Sequence, residues 1–512
     1  MRLIRTAACL MAAAFLATAA LAGCSPARSA RSGPAEPQAA SSASTAGAVW
    51  GQELDWSACD VVPGAECATA RAPLDWDEPD GETIELALAR VKAVGPGERL
   101  GSLLFNPGGP GAGGKSYLQV ALDQVGDGVL ERYDIVGFDP RGVGESTPIT
   151  CYETTAEQDA FNAATSPGTP EGQEASLAVA ESFAEACEQN TGPLLGHVDT
   201  VSAAKDMDLL RALLGDDKLN FLGNSYGTLL GATYAEQFPQ NVGRLVLDAA
   251  IDPSMPADRA EVEQAAAFEA ALGAYLDHCL GAADCPFQGS KQEALDQIHQ
   301  LLVDIAAEPM SAGPDEPREL TVTLALNGIM APLYDDANWP FLNVAFGDAL
   351  EAGDGAVLMF LSDLLLGRVE TGYPSNANEA RTAISCLDGR VPADLASAEE
   401  QAAALAEASP TLGEWLAYDE ATCAAWPYPP VGGPREITAA GAAPIVVVGT
   451  TGDPATPYSG AVALAEQLES GVLVTFDGEG HGAYGRSDNA CVRQAVERYL
   501  LEGEPPAEDL SC

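Results

Sequence analysis

Positive charge is scarce in this chain. Its 512 residues include 25 lysines and arginines against 75 aspartates and glutamates, a formal net charge of −50. Phosphate backbones would be repelled, so nucleic acid is excluded as a partner, and so is electrostatic adhesion to an anionic membrane surface. Histidine is scarcer still, with four in all. No CxxC and no Cys/His cluster occurs, which argues against zinc, and no metal or other cofactor is expected. No stretch after the first two dozen residues is long and apolar enough to span a membrane. Charged residues make up only 20% of the chain and hydrophobic ones 47%, which describes a chain with ample core and not a disordered one.

What is present starts at the N-terminus. Arg2 and Arg5 precede an apolar run over residues 6–20, and Leu21-Ala22-Gly23-Cys24 reads as a lipobox. The expectation is a bacterial export signal over residues 1–23, cleaved so that Cys24 becomes the N-terminus and carries lipid. Residues 24–48, rich in Ser, Ala, Pro and Gly, would be a flexible tether to the membrane, with ordered sequence from Val49 onward. The membrane is then touched only through that anchor. Of twelve cysteines, Cys9 leaves with the signal and Cys24 takes the lipid. The even remainder in an exported chain suggests disulfides, and pairing sequence neighbours gives Cys59–Cys67, Cys151–Cys187, Cys279–Cys285, Cys386–Cys423 and Cys491–Cys512.

Strand-like runs fall at 67–73, 83–91, 101–105, 133–138, 219–222, 244–247, 444–448 and 472–476, alternating with helical segments. Several, such as I-V-G-F and I-V-V-V, are apolar on both faces, as central parallel strands are. The pattern predicts an α/β protein with a mostly parallel eight-stranded sheet. One crossover, between the sixth and seventh strands, is far too long for a loop and is rich in Ala, Leu and Glu. Helices are expected in it near 260–279, 292–307 and 395–408. The chain thus divides into a first core part at 49–253, a helical cap at 254–436 and a second core part at 437–512.

Gly223-Asn224-Ser225-Tyr226-Gly227 stands between the fifth strand and a helix. G-x-S-x-G at such a junction is a nucleophile elbow, with a serine on a turn that only glycine can flank. In so glycine-rich a chain the match needs support, and strand order supplies it. Asp453, in G-D-P-A-T-P, follows the seventh strand, and His481, in G-E-G-H, follows the eighth. Serine, acid, histidine at successive strand ends is the order of an α/β-hydrolase triad. A serine needs a base to take its proton and a carboxylate to orient that base. His197, His278 and His299 sit in helical or connecting segments, which leaves His481 as the base. Asp248 and Asp252, after the sixth strand, rival Asp453 for the acid. The loop Asn106-Pro107-Gly108-Gly109-Pro110-Gly111 follows the third strand, where such folds supply one oxyanion N–H, the other coming from the residue after the nucleophile. Gly109 and Tyr226 are the expected donors. The continuation G-P-G-A-G-G-K-S also fits a P-loop, but Pro110 removes a donor from any phosphate cradle and an exported protein meets little nucleotide.

The set N-P-G-G-P-G, F-D-P-R-G-V-G-E-S, G-N-S-Y-G-T, V-L-D, G-D-P-A-T-P and G-E-G-H resembles the tripeptidyl aminopeptidase family of exported bacterial serine peptidases, α/β hydrolases related to prolyl iminopeptidase. The similarity runs from about residue 50 to the C-terminus. It departs at Ala249, where V-L-D-G would have glycine. The resemblance implies peptide substrates and hydrolysis near their free N-termini through an acyl-enzyme. It also implies a cap-side acid that holds the substrate amine, and Asp388, beside the expected Cys386–Cys423 bridge, is the candidate. An esterase or acyltransferase of cell-envelope lipids would share the triad. A solute-binding lipoprotein would share the signal and tether but has no need of serine, acid and histidine at strand ends.

Overall fold

Strands that are apolar on both faces need helices on both sides, and one large sheet meets that demand. The structure, a computed structural model, describes residues 49–164, 170–314, 316–389, 395–416, 421–485, 490–507 and 510–512. The expected signal, Cys24 and the tether lie outside the described residues. The strands in chain order are β1 (Ser57–Ala58), β2 (Glu66–Pro73), β3 (Thr83–Val91), β4 (Gly101–Asn106), β5 (Tyr133–Phe138), β6 (Leu219–Asn224), β7 (Val242–Asp248), β8 (Met310–Ser311), β9 (Glu319–Leu320), β10 (Ile445–Gly452), β11 (Gly471–Glu479) and β12 (Leu510–Ser511).

Ten of them form one sheet in the order β1-β2-β3-β5-β4-β6-β7-β10-β11-β12. The pairs β1/β2, β2/β3 and β3/β5 are antiparallel. From β5 across to β12 every pairing is parallel. All eight expected strands are present. The four that sequence reasoning missed, β1 and β12 of this sheet and the separate pair β8 and β9, are two residues each, too short to leave an alternating pattern. The two at the sheet edges are each held by a disulfide, Cys59–Cys67 beside β1 and Cys491–Cys512 beside β12. The other bonded pairs are Cys151–Cys187, Cys279–Cys285 and Cys386–Cys423.

Period-two alternation sends successive residues of the central strands into opposite layers. Leu104, Val136, Phe221, Leu247 and Val447 pack with helices Thr200–Leu213, Tyr226–Gln237 and Tyr458–Gln467. Their neighbours Leu103, Ile135, Leu222, Val246 and Val446 pack with Leu118–Gln124 and Ala490–Glu502. The segment F-D-P-R is fixed by a buried ion pair. Arg141 grips Asp206 through two bonds of 2.7 Å and donates to the carbonyls of Pro73, Leu74 and His197. Every donor of that guanidinium is spent on structure, because an unpaired charge at such depth would be strongly destabilising.

Between β7 and β10 lies the insertion. Helices Ala257–Cys279, Lys291–Ala307 and Leu395–Ala408 fall where periodicity put them. Val322–Met330, Trp339–Gly347, Ala356–Leu366 and Ala377–Asp388 join them, with a β8/β9 ribbon. Much of the insertion has a core of its own, built from Phe268, Leu272, Ile298, Leu302, Ile329, Phe346 and Leu358. Helix Ala377–Asp388 does not share it. Its stripe of Ala380, Ala383, Ile384 and Leu387 enters the sheet-side core beside Phe183 and Trp426, and Cys386–Cys423 clips it there. The residues read as one cap are thus divided between two cores.

Candidate active site

The elbow is built from steric need. β6 runs to Asn224, helix Tyr226–Gln237 starts at once, and Ser225 between them takes φ 55°, ψ −124°. A side chain on Gly223 would place its Cβ 2.4 Å from the Gly227 carbonyl oxygen. One on Gly227 would lie 2.9 Å from the backbone and side-chain oxygens of Asn106. Contacts below 3 Å cannot be borne, so glycine on both sides is what allows the serine to stand out at the tip. Strain of this kind at a polar residue is a mark of a working site.

The glycine-rich loop after β4 wraps that tip. A Cβ on Gly108 would sit 2.8 Å from the Ser225 Cβ and 3.4 Å from the Tyr226 nitrogen. The Gly108 N–H is taken by the Asn106 side-chain oxygen at 3.0 Å. The Tyr226 nitrogen, at the start of the helix, therefore borders the same small space as Gly108 and Ser225. The P-loop likeness is not carried into structure. Lys115 pairs with Glu145 at 2.6 Å, and its backbone N–H donates to Asp139, so protein carboxylates fill the positions a phosphate would need.

Asp453 follows β10 directly and His481 follows β11 by two residues, so both stand at the same end of the sheet as the elbow. The imidazole Nδ1 lies 2.9 and 3.0 Å from the two Asp453 oxygens. Asp453 is 3% exposed. It also accepts the N–H groups of Ala455, Thr456 and Gly482 and the Thr456 hydroxyl. Thr456 in turn approaches His481 Nδ1 at 3.3 Å. From the insertion, the Tyr334 carbonyl accepts the His481 N–H at 2.9 Å, and its ring stands edge-on to the imidazole at 5.3 Å. Burial pushes the Tyr334 phenol up to about 12, so it stays neutral at working pH.

The rival acids have other partners. Asp252 accepts the N–H and hydroxyl of Ser254 and the Gln467 amide, a local turn. Asp248 bonds the backbone of the histidine loop, at Ala483 and Tyr484. The residue after it, Ala249, adopts φ 60°. The left-handed turn suited to glycine is therefore kept, at a strain of about 1–2 kcal/mol.

Asp388 needs correction. Its two oxygens accept the N–H and hydroxyl of Thr200, at 2.7 and 2.6 Å, where helix Thr200–Leu213 begins. The Thr200 hydroxyl reaches on to the Tyr226 phenol at 2.5 Å. Desolvation pushes the Asp388 carboxyl up to about 7. A carboxylate committed to a helix start, and half-neutral at physiological pH, is a poor anchor for an ammonium. Sequence reasoning also missed Tyr334, Thr456 and Asp248 as contacts of the histidine segment. Thr456 was visible within G-D-P-A-T-P. Tyr334 carries no local signal, since its contact with His481 spans some 147 residues of chain.

A family model described as TAP-like protein matches residues 409–512. Serine protease Hip1 of Mycobacterium tuberculosis is 36% identical over 482 residues, covering 90% of this chain and 91% of that protein. Carboxylesterase B of the same organism is 34% identical over 477 residues, 90% of each. Tripeptidyl aminopeptidase of Streptomyces lividans is 32% identical over 471 residues, covering 90% of this chain and 86% of that one. Identity at this level along nearly the whole of each chain reflects descent: the chain belongs to the tripeptidyl aminopeptidase family of α/β-hydrolase serine peptidases.

Proposed function

We propose that this is an exported, lipid-anchored serine peptidase that cleaves peptides near their free N-termini. Ser225 is the nucleophile, His481 the base and Asp453 its orienting acid. The Asp453–His481 contact at 2.9 Å, on strand ends beside the elbow, is the observation that carries the reading. With Nδ1 held by Asp453, Nε2 serves the serine. It takes the hydroxyl proton as Ser225 Oγ attacks the scissile carbonyl, while the N–H groups of Gly109 and Tyr226 receive the oxyanion. Collapse of the tetrahedral intermediate breaks the C–N bond, and the imidazolium returns the proton to the leaving amine. Water, deprotonated by the same nitrogen, then releases the acyl group from Ser225.

Preference for a free amine is an electrostatic matter. Asp336 of the insertion and Glu479, two residues before His481, lie close enough for repulsion to help raise the Glu479 carboxyl above its usual range, after burial as the main cause. Asp477 adds to that repulsion, and a substrate ammonium drawn to these exposed acids would lessen it. The five disulfides support export, since such bonds persist in oxidising compartments. The lipobox at Cys24 supports the anchor, on the outer face of the cytoplasmic membrane.

A short peptide reporter and its N-acetylated twin test the exopeptidase reading. Acetylation removes the charge, and kcat/KM is expected to fall by about tenfold or more, the loss of one charged hydrogen bond. Equal turnover of the twins would contradict it. Faster turnover of a fatty-acyl ester would favour the esterase reading, to which the name of one relative points.

A further inference from the structure

We infer that Asp248 is a positioning residue for this reaction, a buried side chain that, together with Gln124, holds the His481 loop in register with the Ser225 elbow. The inference rests on the catalytic roles proposed above.

The loop after β11 presents four successive N–H groups, and each has an acceptor. His481 donates to the Tyr334 carbonyl at 2.9 Å and Gly482 to Asp453 at 3.2 Å. Ala483 donates to both Asp248 oxygens at 3.1 Å, and Tyr484 to Oδ2 at 2.8 Å. Gly480 donates to the Gly452 carbonyl of the adjoining β10. Tyr334 is on the insertion and Asp453 is the base's own partner, so Asp248 is the side chain that ties this loop to β7, one strand further on. The same residue's carbonyl accepts the Ser225 N–H at 2.9 Å. One residue at the end of β7 thus bonds the nucleophile through its backbone and the base's loop through its side chain. A second link runs in parallel: Gln124 exchanges bonds with Asn224, at 3.2 and 3.0 Å, and donates to the Tyr484 carbonyl at 2.8 Å.

The chemistry of position 248 calls for a carboxylate. Both oxygens face N–H donors, and an amide would turn its NH2 toward one of them. Asp248 is 2% exposed. Desolvation pushes its carboxyl up to about 6, with Asp453 adding to the rise, while the two loop N–H groups and His481 oppose it. The Tyr484 phenol on the same loop lies within its field. From helix Leu118–Gln124 the approaching group is the neutral Gln124. At neutral pH Asp248 is therefore ionised and accepting. Acid removes one acceptor as pH falls through about 6.

Asp248→Asn tests this. A loop displaced by a fraction of an ångström to 1 Å costs up to about 10²-fold, so kcat should fall by roughly 10–10²-fold with KM little changed. The acid limb of the kcat/KM profile should also move to lower pH, because the carboxyl that protonates near 6 has gone. A second measurement needs no variant. In the wild type, protection of the Ala483 and Tyr484 amides from hydrogen exchange should drop as pH falls through about 6, whereas amides of the central strands keep theirs. Wild-type kcat and pH profile in Asp248→Asn, or loop protection that ignores pH in this range, would overturn the inference. If Ser225→Ala retained activity, the catalytic reading itself would fall. An inactive Ser225→Ala beside a fully active Asp248→Asn would sink only the role of Asp248.

Discussion

Replacing Ser225 by alanine is expected to lower kcat on a peptide reporter by about 10⁶-fold, the scale seen when a triad nucleophile is removed. Little else should change. The residue stands on the turn tip, half-buried, and its side chain forms no hydrogen bond that caps the following helix. Its backbone does the structural work, through the N–H to the Asp248 carbonyl and the carbonyl that accepts the Thr228 N–H. Alanine keeps both and meets the same strain at φ 55°. The melting temperature should therefore match wild type, and residual hydrolysis should come from binding and the oxyanion donors alone. Activity above a few per cent of wild type would mean that another group attacks the carbonyl.

Asp453→Asn should cost about 10⁴-fold in kcat. The physical cause is the imidazole tautomer. A carboxylate 2.9 Å from Nδ1 keeps the proton there and leaves Nε2 able to accept from serine. An amide can present its NH2 to Nδ1 and favour the opposite tautomer, which cannot take the serine proton. Asp453 also accepts three backbone N–H groups, from Ala455, Thr456 and Gly482, so the variant should melt somewhat lower as well. Asp252→Asn is the control, since that side chain is committed to a turn with Ser254 and to Gln467. A loss of comparable size in Asp252→Asn, with Asp453→Asn near wild type, would move the acid to the other strand.

The parallel core was legible because both-face burial leaves continuous apolar runs, as in Tyr133–Phe138, where all six residues are buried. The elbow, Asp453 and His481 were legible because glycine-rich turns at strand ends stand out against that background. The edges were not, since a two-residue strand such as Leu510–Ser511 has no period to detect. Helix Ala377–Asp388 shows its apolar stripe in sequence but not which of two cores the stripe enters. Asp388 was misread for a related reason. An aspartate beside a disulfide looks the same whether it faces a cleft or the start of a helix 188 residues earlier. In sequence Asp248 stands only as a rival for the triad acid, because its partners at Ala483 and Tyr484 lie 235 and 236 residues on. Local pattern is silent at such separations.

The central claim is that Ser225 is the attacking atom's residue, and covalent capture tests it most directly. The protein should be treated with an active-site-directed fluorophosphonate, digested, and the modified peptide sequenced by mass spectrometry. The account predicts one adduct per chain, on Ser225 within G-N-S-Y-G, lost in Ser225→Ala and formed far more slowly in Asp453→Asn. No adduct at all, or an adduct on a different residue that persists in Ser225→Ala, would contradict it.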